Sequence, residues 1–232
     1  MARITDSIKI SFGDMSTCHV KNSLIGRSQQ ELSALPQFEE FRGVNNIVVL
    51  NQVHSPRGYR IDTPSQADVL PFTYDGDYIF TTQKRVALVI ETADCAPVIF
   101  IDRVKACIAI AHAGWRGTLG NILGEVLSEF KQQKSDLQNI EVIIGPTARG
   151  CCYEVGSDFK KMVRDKGAFQ ERSGKIYFDI ADYIQHSLVN AGIAPKNFFL
   201  ENAVCTICSE WYCSYRRQRQ QNLRQFTIVA LK

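Results

Sequence analysis

The chain has 232 residues, of which 45% are hydrophobic and 22% charged, a balance typical of globular proteins that argues against intrinsic disorder. The net charge of +3 is small, and without a basic run of helical length it gives no reason to expect nucleic acid as a partner. The N-terminal residues carry charges but no apolar segment, and no stretch approaches a membrane span, so we expect a cytoplasmic protein whose eight cysteines are reduced.

Short β-branched runs bounded by turn residues predict six strands. The third and fourth runs are joined by the short polar segment 102–105, which predicts a β-hairpin. In chain order the six runs are residues 47–50, 86–90, 98–101, 107–111, 142–144 and 226–231.

Amphipathic stretches predict helices between these strands. Apolar residues recur at three-and-four spacing over residues 117–134. Residues 179–192 repeat the pattern, with Asp179 as the expected N-cap and Gly192 as the expected C-cap. A weaker pattern over residues 156–166 predicts a third helix.

The order of these elements indicates the fold class. Strands and helices are mixed without strict alternation, which favours an α+β fold over a doubly wound α/β fold. We expect a mixed, sandwich-like β-sheet core with helices packed on its outside. No long linker or internal repeat divides the chain, so residues 1–232 are expected to form a single domain.

Three metal-ligating side chains lie where predicted strands end. His54 and His112 each come at the end of an apolar run, and Cys95 lies at the bend between two such runs. Functional groups commonly gather on such connecting segments. Imidazole nitrogen and thiolate sulfur suit zinc, and three protein ligands with an open fourth position are typical of a catalytic site. The strand ends therefore predict a zinc site.

The same atoms support two other interpretations. Cys95 is also compatible with a small buried apolar side chain, each histidine being satisfied by a neighbour. Alternatively, Cys95 and His112 are the nucleophile and base of a cysteine hydrolase, with Asp94 or Asp77 orienting the imidazole. The residue types alone do not separate a zinc thiolate from a free nucleophile, so the interpretations stay open here.

The segment AHAGWRG, residues 111–117, runs from a predicted strand into a helix that we expect to begin near Gly117. Gly114 and Gly117 permit a tight turn, and unpaired N–H groups in a first helical turn attract phosphate or carboxylate. Arg116 either adds a bidentate contact to such an anion or stacks on Trp115.

Two further cysteine pairs give weaker signals. Cys205 and Cys208 form a lone CxxC, with no second pair or histidine beside it in the sequence to complete a metal site. Cys151 and Cys152 are adjacent, which disfavours a disulfide between them and indicates a role in packing or in a site wall.

Six segments resemble, in order, the signature blocks of the YfiH-like laccase-domain family. Members of that family are described as zinc-dependent purine nucleoside phosphorylases with adenosine deaminase activity. The resemblance runs from Arg27 to the C-terminus, and the order of the blocks makes it more specific than any single motif. The segments are NQVHS (51–55), TADCAPV (92–98), AHAGWRG (111–117), GPTARGCCYEVG (145–156), CT (205–206) and SYRR (214–217).

Nine residues are expected to serve the site, and the metal ligands that the resemblance implies are the three that the strand ends indicate. Glu154 is proposed for proton transfer, a structural salt bridge being its alternative. The expected roles are metal ligands at His54, Cys95 and His112, catalytic groups at Asp77, Glu154 and Cys152, and substrate or phosphate contacts at Arg27, Gln52 and Arg116, with the metal ligands, Asp77 and Arg27 implied by the resemblance.

The implied reaction is phosphorolysis of adenosine, inosine, guanosine and methylthioadenosine to base and ribose 1-phosphate, together with adenosine deamination. We expect a monomer that acts on small molecules and uses neither nucleic acid nor a membrane. Copper-dependent oxidation of polyphenols, the older family assignment, is less favoured because three ligands lack the histidine-rich trinuclear cluster that it requires. The chain departs from the family pattern in its short N-terminal segment and in Cys208.

Overall fold

The computed structural model describes residues 3–5 and 7–232, with side chains from Ser7 onward, so part of the N-terminal segment assessed above (residues 1, 2 and 6) lies outside it. Strands predominate in the described residues. Their bounds are β1 Arg3–Thr5, β2 Ile8–Phe12, β3 His19–Val20, β4 Asn46–Val49, β5 Gly58–Ile61, β6 Tyr78–Thr81, β7 Val86–Thr92, β8 Ala96–Asp102, β9 Cys107–Ala113, β10 Ile140–Ile144, β11 Glu154–Val155, β12 Phe169–Arg172, β13 Lys175–Phe178, β14 Phe198–Phe199 and β15 Leu223–Leu231.

The helices are short, and most follow or precede a strand directly. The α-helices are α1 Gln29–Ser33, α2 Pro64–Ala67, α3 Trp115–Leu119, α4 Ile122–Gln132, α5 Ser157–Met162 and α6 Ile180–Asn190, and 3-10 turns cover Met15–Thr17, Pro36–Phe41, Leu137–Asn139 and Pro195–Asn197. Within the described part of the chain, no helix has both the length and the apolar character needed to cross a bilayer.

Two large mixed sheets confirm the predicted α+β class. The first has the order β1-β2-β15-β7-β4, with β3 also pairing with β15, and the second has the order β14-β10-β8-β9-β6-β5. Strands β8 and β9 form the predicted hairpin, with Ala96 opposite Ala113 at one end and Asp102 opposite Cys107 at the other. A small third sheet, β11-β13-β12, was not predicted.

The two large sheets face each other, as the sandwich-like prediction requires. Successive side chains of a strand point to opposite faces, and both faces of β9 are buried. Ile108 and Ile110 pack between the sheets, whereas Ala109 and Ala111 face the outer layer of helices that includes α4. Small side chains on that face let the helix approach closely. Burial on both sides explains why these strands are continuous apolar runs.

Two of the predicted helices differ from the structure. The stretch 117–134 is two helices, α3 and α4, because Asn121 adopts a left-handed backbone conformation with φ of 75°. Apolar spacing continues across this break, so periodicity alone does not reveal it. The third predicted helix is shorter than expected, since α5 ends at Met162. Helix α6 begins as predicted, with the Asp179 side chain accepting a hydrogen bond from the Asp182 N–H.

Candidate metal centre and its pocket

The structure brings His54, Cys95 and His112 together at one end of the β8–β9 hairpin. His112 lies near the end of β9, Cys95 directly precedes β8, and His54 lies in the loop after β4. One ligand atom from each side chain lies within 4.8 Å of the other two. The imidazole rings of the two histidines meet edge to face, with centroids 4.7 Å apart. Such a set of one sulfur and two nitrogens can hold a single metal ion.

Asp77 fixes both histidines through a carboxylate that is 1% exposed. It accepts hydrogen bonds from the backbone N–H groups of His54 (2.9 Å) and Ser55 (2.6 Å). It also bonds Nδ1 of His112 at 2.9 Å, which leaves Nε2 of that ring for another partner. Burial would raise the pKa of Asp77, but the bonds from His112 and Ser55 outweigh it and lower the pKa. A carboxylate behind a ligating histidine is the usual support of a metal site.

The surroundings of Cys95 and His112 favour the charged form of each side chain. Burial opposes charge on either group, but the attraction of the His112 and His54 imidazoles lowers the pKa of the Cys95 thiol below its ordinary value. The Cys95 thiolate and the Asp77 carboxylate in turn raise the pKa of His112 despite its burial. The thiolate form that a metal or an electrophile requires is therefore favoured in this setting.

Strained backbone surrounds the centre. His54 and Asp94 have φ of 61° and 79°, in the left-handed region that side chains with a Cβ rarely adopt. Gly114 has ordinary dihedral angles, but a Cβ there would lie 2.7 Å from the Cys95 sulfur. Position 114 therefore requires glycine because a side chain would occupy the space beside the Cys95 ligand. From sequence we expected the glycine to be needed for a tight turn, and this expectation is corrected. Helix α3 begins at Trp115 rather than near Gly117.

Asp94 links three segments around the centre instead of orienting a histidine. Its carboxylate accepts hydrogen bonds from the Thr206 hydroxyl and the Arg216 backbone N–H, both at 2.7 Å. Its backbone carbonyl accepts from the Ala148 N–H at 2.8 Å and the Thr147 hydroxyl at 2.9 Å. Of the two acids considered for orienting His112 in a hydrolase, the structure thus selects Asp77.

A cavity of about 650 Å³ opens over the three ligands. Its walls carry five cationic side chains against two acidic ones, together with four aromatic rings, a composition suited to a ligand with an anionic group and a planar ring. These side chains are Lys21, Arg116, Arg216, Arg219 and Arg224, then Glu91 and Asp94, and finally Phe72, Trp115, Tyr153 and Tyr215.

Two of the predicted contact residues line this cavity. Gln52 does so, and its side-chain amide bonds both the N–H (2.6 Å) and the C=O (2.8 Å) of Glu91. Arg116 stacks on Trp115 with its guanidinium carbon 4.4 Å from the ring centroid, while both residues face the cavity. The two interpretations of Arg116 are therefore compatible with each other.

The structure does not bring Arg27, Cys152 or Glu154 to the cavity walls, and Asp77 lies buried behind His112. Glu154 is exposed and forms an ion pair of 2.8 Å with Lys175, the alternative considered for it. Arg27 is half-buried next to α1, and Lys21 occupies the wall instead. Cys152 lies in a group of four cysteines rather than in the site wall.

Glu91 and Arg216 line the cavity but are not among the nine site residues expected from sequence. Glu91 is a buried carboxylate hydrogen-bonded to Nε2 of His19, whose ring stacks on Phe226. In the sequence, Glu91 could have been noticed as the single acidic residue that directly follows the apolar run VALVI. The guanidinium of Arg216, a residue of the block SYRR (214–217), lies 4.7 Å from the ring centroid of Tyr153.

Comparison with known proteins identifies the family. The family model described as multi-copper polyphenol oxidoreductase laccase matches residues 28–232. The chain belongs to this family. The resemblance to the laccase family that the sequence blocks indicate is thereby confirmed. The matched range also includes all three residues of the centre.

Curated relatives of this laccase-family chain carry nucleoside-processing names. Purine nucleoside phosphorylase of Aquifex aeolicus (strain VF5) is 32% identical over 200 residues, covering 85% of this chain and 89% of that protein. Adenosine deaminase RL5, from an unknown prokaryotic organism, is 30% identical over 201 residues, covering 82% and 76%. The crystal structure of the Bacillus licheniformis hypothetical protein YfiH shares the fold, with a TM-score of 0.81 over 97% of this chain and 93% of that one at 21% identity.

Proposed function

We propose that this chain is a zinc-dependent purine nucleoside enzyme. It would cleave adenosine, inosine, guanosine or methylthioadenosine with phosphate to the free base and ribose 1-phosphate, and it would also deaminate adenosine. The observation that carries the proposal is the convergence of His54, Cys95 and His112 at the base of a cationic, aromatic cavity. The names of the two curated relatives support the same reaction class.

The donor set fits zinc better than the other common divalent ions. Two imidazoles and one thiolate match its borderline-soft character, and Asp77 already directs His112 so that Nε2 faces away from the carboxylate. Zinc held there would supply Lewis-acid activation of water near neutral pH, the chemistry that deamination at purine C6 needs. The chain's own groups provide the rest of the site.

Binding of the substrates would rest on the cavity walls. Trp115 and Tyr153 offer ring faces to a purine, and the guanidinium groups of Arg116 and Arg216 already lie over those rings. A phosphate between these cations would be held by charge-assisted hydrogen bonds and oriented toward the ribose. Accumulated positive charge also stabilises the negative charge that phosphate brings to the reaction.

Proton transfer to the departing base is proposed for Glu91. Both carboxylate oxygens of Asp94 already accept hydrogen bonds from Thr206 and Arg216, so Glu91 is the better placed of the two wall acids. His19 bonds one of its oxygens and holds the side chain in position. A carboxyl group that faces the cavity from a fixed position suits general acid catalysis.

A cysteine hydrolase is the second candidate, because Cys95, His112 and Asp77 follow one another in hydrogen-bonding contact. The contact of Cys95 with a second imidazole, His54, argues for a metal, since a nucleophile and base pair needs only one. Labelling separates the two: stoichiometric alkylation of Cys95 in zinc-loaded protein would favour the hydrolase. Copper oxidation of polyphenols is less favoured, because the two remaining histidines are bound elsewhere, His19 to Glu91 and His186 to Asp165.

The experiment compares metal content and nucleoside turnover in the same preparations. Purified protein, chelated protein and chelated protein with zinc restored are assayed for base release from inosine and adenosine with phosphate, and for inosine formation from adenosine. We expect turnover that chelation removes and zinc restores, and that His112→Ala removes permanently. His186→Ala, an exposed histidine paired with Asp165, is the matched control and should keep full activity. Absence of turnover in every wild-type preparation would reject the proposal.

A further inference from the structure

Four cysteines outside the pocket form a second cluster of metal-ligating side chains. Cys151 and Cys152 lie in the loop after β10, and Cys205 and Cys208 lie in the long loop before β15. Their four sulfur atoms all lie within 4.8 Å of one another, and those of Cys151 and Cys208 are 3.9 Å apart. We call this group the four-cysteine cluster. It shares no residue with the centre formed by His54, Cys95 and His112.

The spacing of the sulfurs matches one metal ion. With zinc–sulfur bonds of about 2.3 Å, four sulfurs at the corners of a tetrahedron are roughly 3.8 Å apart. The cluster approaches this size and has the number of ligands that closes a structural zinc site. An iron–sulfur cluster would need a wider arrangement, because its thiolates bind different irons.

The two loops are held together by bonds that do not involve the cysteines. Thr147 pairs with the second loop, receiving a hydrogen bond from the Thr206 N–H and donating one to the Val204 carbonyl, both at 3.0 Å. The Arg149 guanidinium adds a bond of 2.7 Å to the Ala203 carbonyl. The cysteines of the two pairs are therefore set opposite each other by the fold, which lowers the entropic cost of metal binding.

Positive charge surrounds the cluster. The Arg217 guanidinium donates to the carbonyls of Thr206, Ile207 and Ser209 at 2.8, 3.0 and 2.6 Å, so the CxxC turn wraps around it. The Arg172 guanidinium donates to the Cys151 carbonyl at 2.9 Å. Four thiolates around a divalent cation carry a net charge of −2, which nearby guanidinium groups offset. Outer groups of this kind tune and support metal sites.

The exposure of the cluster suits metal loading rather than core packing. Cys151 and Cys208 are exposed and Cys152 is half-buried, whereas Cys205 is buried. A cysteine used only for packing resembles Cys107, which is fully buried among apolar side chains. An open side provides the entry path that a metal site requires.

We propose that the four-cysteine cluster is a second, structural metal site that takes a thiophilic divalent cation, zinc above all. Each thiol gives up its proton to solvent as it binds, and no oxidant is involved. The bound ion clamps the loop that continues into Tyr153 to the loop that continues into Arg216. Those two residues stack on each other in the cavity wall, so the site fixes the shape of the pocket without touching substrate.

Metal content and cobalt spectra test the proposal without any activity assay, so its outcome is independent of the proposed function. Protein purified with reductant and zinc should hold about two zinc ions per chain. The double variant Cys151→Ser/Cys208→Ser, which changes two exposed side chains, should hold about one. Cys18→Ser, a cysteine outside both metal groups, is the matched control and should leave the content unchanged.

Cobalt isolates the second site in a folded protein. His112→Ala loaded with cobalt should still show the intense sulfur-to-metal charge-transfer absorption of a tetrahedral tetrathiolate site, and adding the two serine substitutions should abolish it. The proposal is overturned if Cys151→Ser/Cys208→Ser binds as many zinc ions per chain as the wild type, or if His112→Ala shows no such absorption. A Cys151–Cys208 disulfide in protein kept under reductant would overturn it equally.

Discussion

The two groups of metal-ligating side chains differ in how the fold holds them. His112 lies on β9, and Cys95 directly precedes β8, the strand paired with it. Asp77 bonds His112 and the His54 backbone, and all three ligands lie at the base of a cavity. The four-cysteine cluster lies on two loops, largely exposed, and has only backbone pairing and guanidinium groups around it. Three protein ligands leave one coordination position of a metal ion open for a reacting molecule, whereas four protein ligands fill every position of a tetrahedral site. The centre is therefore suited to catalysis, whereas the four-cysteine cluster is suited to holding two loops in place.

Gly114→Ala should abolish metal binding at the centre while sparing the cluster, the largest effect that we expect. The new methyl group would collide with the Cys95 sulfur, 2.7 Å away, because Cys95 and Gly114 directly flank the paired residues Ala96 and Ala113. Metal analysis should show loss of one ion per chain and no nucleoside turnover. Gly156→Ala is the matched control, since nothing lies within 4 Å of its added Cβ. Full metal content in Gly114→Ala would contradict the assigned geometry.

Asp77→Asn should weaken zinc at the centre by roughly 10- to 100-fold, the usual effect of removing the partner of a ligating histidine. The amide keeps the shape of the carboxylate but cannot accept all the bonds from the His54 and Ser55 backbones and from His112. Competition with a chromophoric chelator measures the affinity. Cobalt absorption of the four-cysteine cluster should be unchanged, and an equal loss at both sites would mean that the fold was damaged.

The pH dependence of Cys95 alkylation should distinguish the centre from an ordinary thiol. In zinc-free protein the nearby imidazoles lower its pKa, so its thiolate persists below the ordinary value of 9.0 and is lost only as the pH falls through the lowered pKa. Burial raises the pKa of Cys107 to about 11, which gives the opposite behaviour within one chain. At pH 7 we expect at least ~10-fold more thiolate at Cys95 than at a free cysteine. Peptide mapping after iodoacetamide treatment measures it, and a midpoint at or above 9.0 would contradict the prediction.

Arg216→Ala should have the smallest effect, about a tenfold rise in KM for phosphate with little change in metal content, as expected for one lost charge-assisted contact. The Arg216 side chain faces the cavity, and only its backbone N–H bonds Asp94, so the substitution leaves that link intact. Steady-state kinetics with phosphate varied provide the measurement. Arg42→Ala, a surface arginine paired with Glu39, is the control. An unchanged KM would remove Arg216 from the phosphate site.

The centre was predictable from sequence because its residues follow strands that are apolar on both faces. Such runs are conspicuous, and a polar side chain at the end of one, such as His54 or His112, stands out against them. The hairpin between β8 and β9 was predictable for the same reason, since a short polar segment joins two of these runs. The distances between the three metal ligands could not be predicted from sequence, because they depend on the strand register that pairs Ala96 with Ala113.

The four-cysteine cluster was not predictable as a unit. Its two pairs are far apart in the chain, and loops that pair through Thr147 carry no periodicity. The role of Gly114 was likewise hidden, because only the position of the Cys95 sulfur reveals why a side chain is excluded. For Glu154 the sequence left proton transfer and a salt bridge as alternatives, because it does not show that Lys175 on the neighbouring strand lies within bonding distance.

The placement of β15 bears on how the chain folds during synthesis. This strand lies between β2 and β7 in the first sheet and hydrogen-bonds to both along most of its length. Residues 223–231 must therefore leave the ribosome before β2 and β7, which are made earlier, gain this neighbour, and their edges stay open in the meantime. Pairing over such sequence separation slows folding. Folding of the first sheet is therefore expected to finish only after β15 has been made.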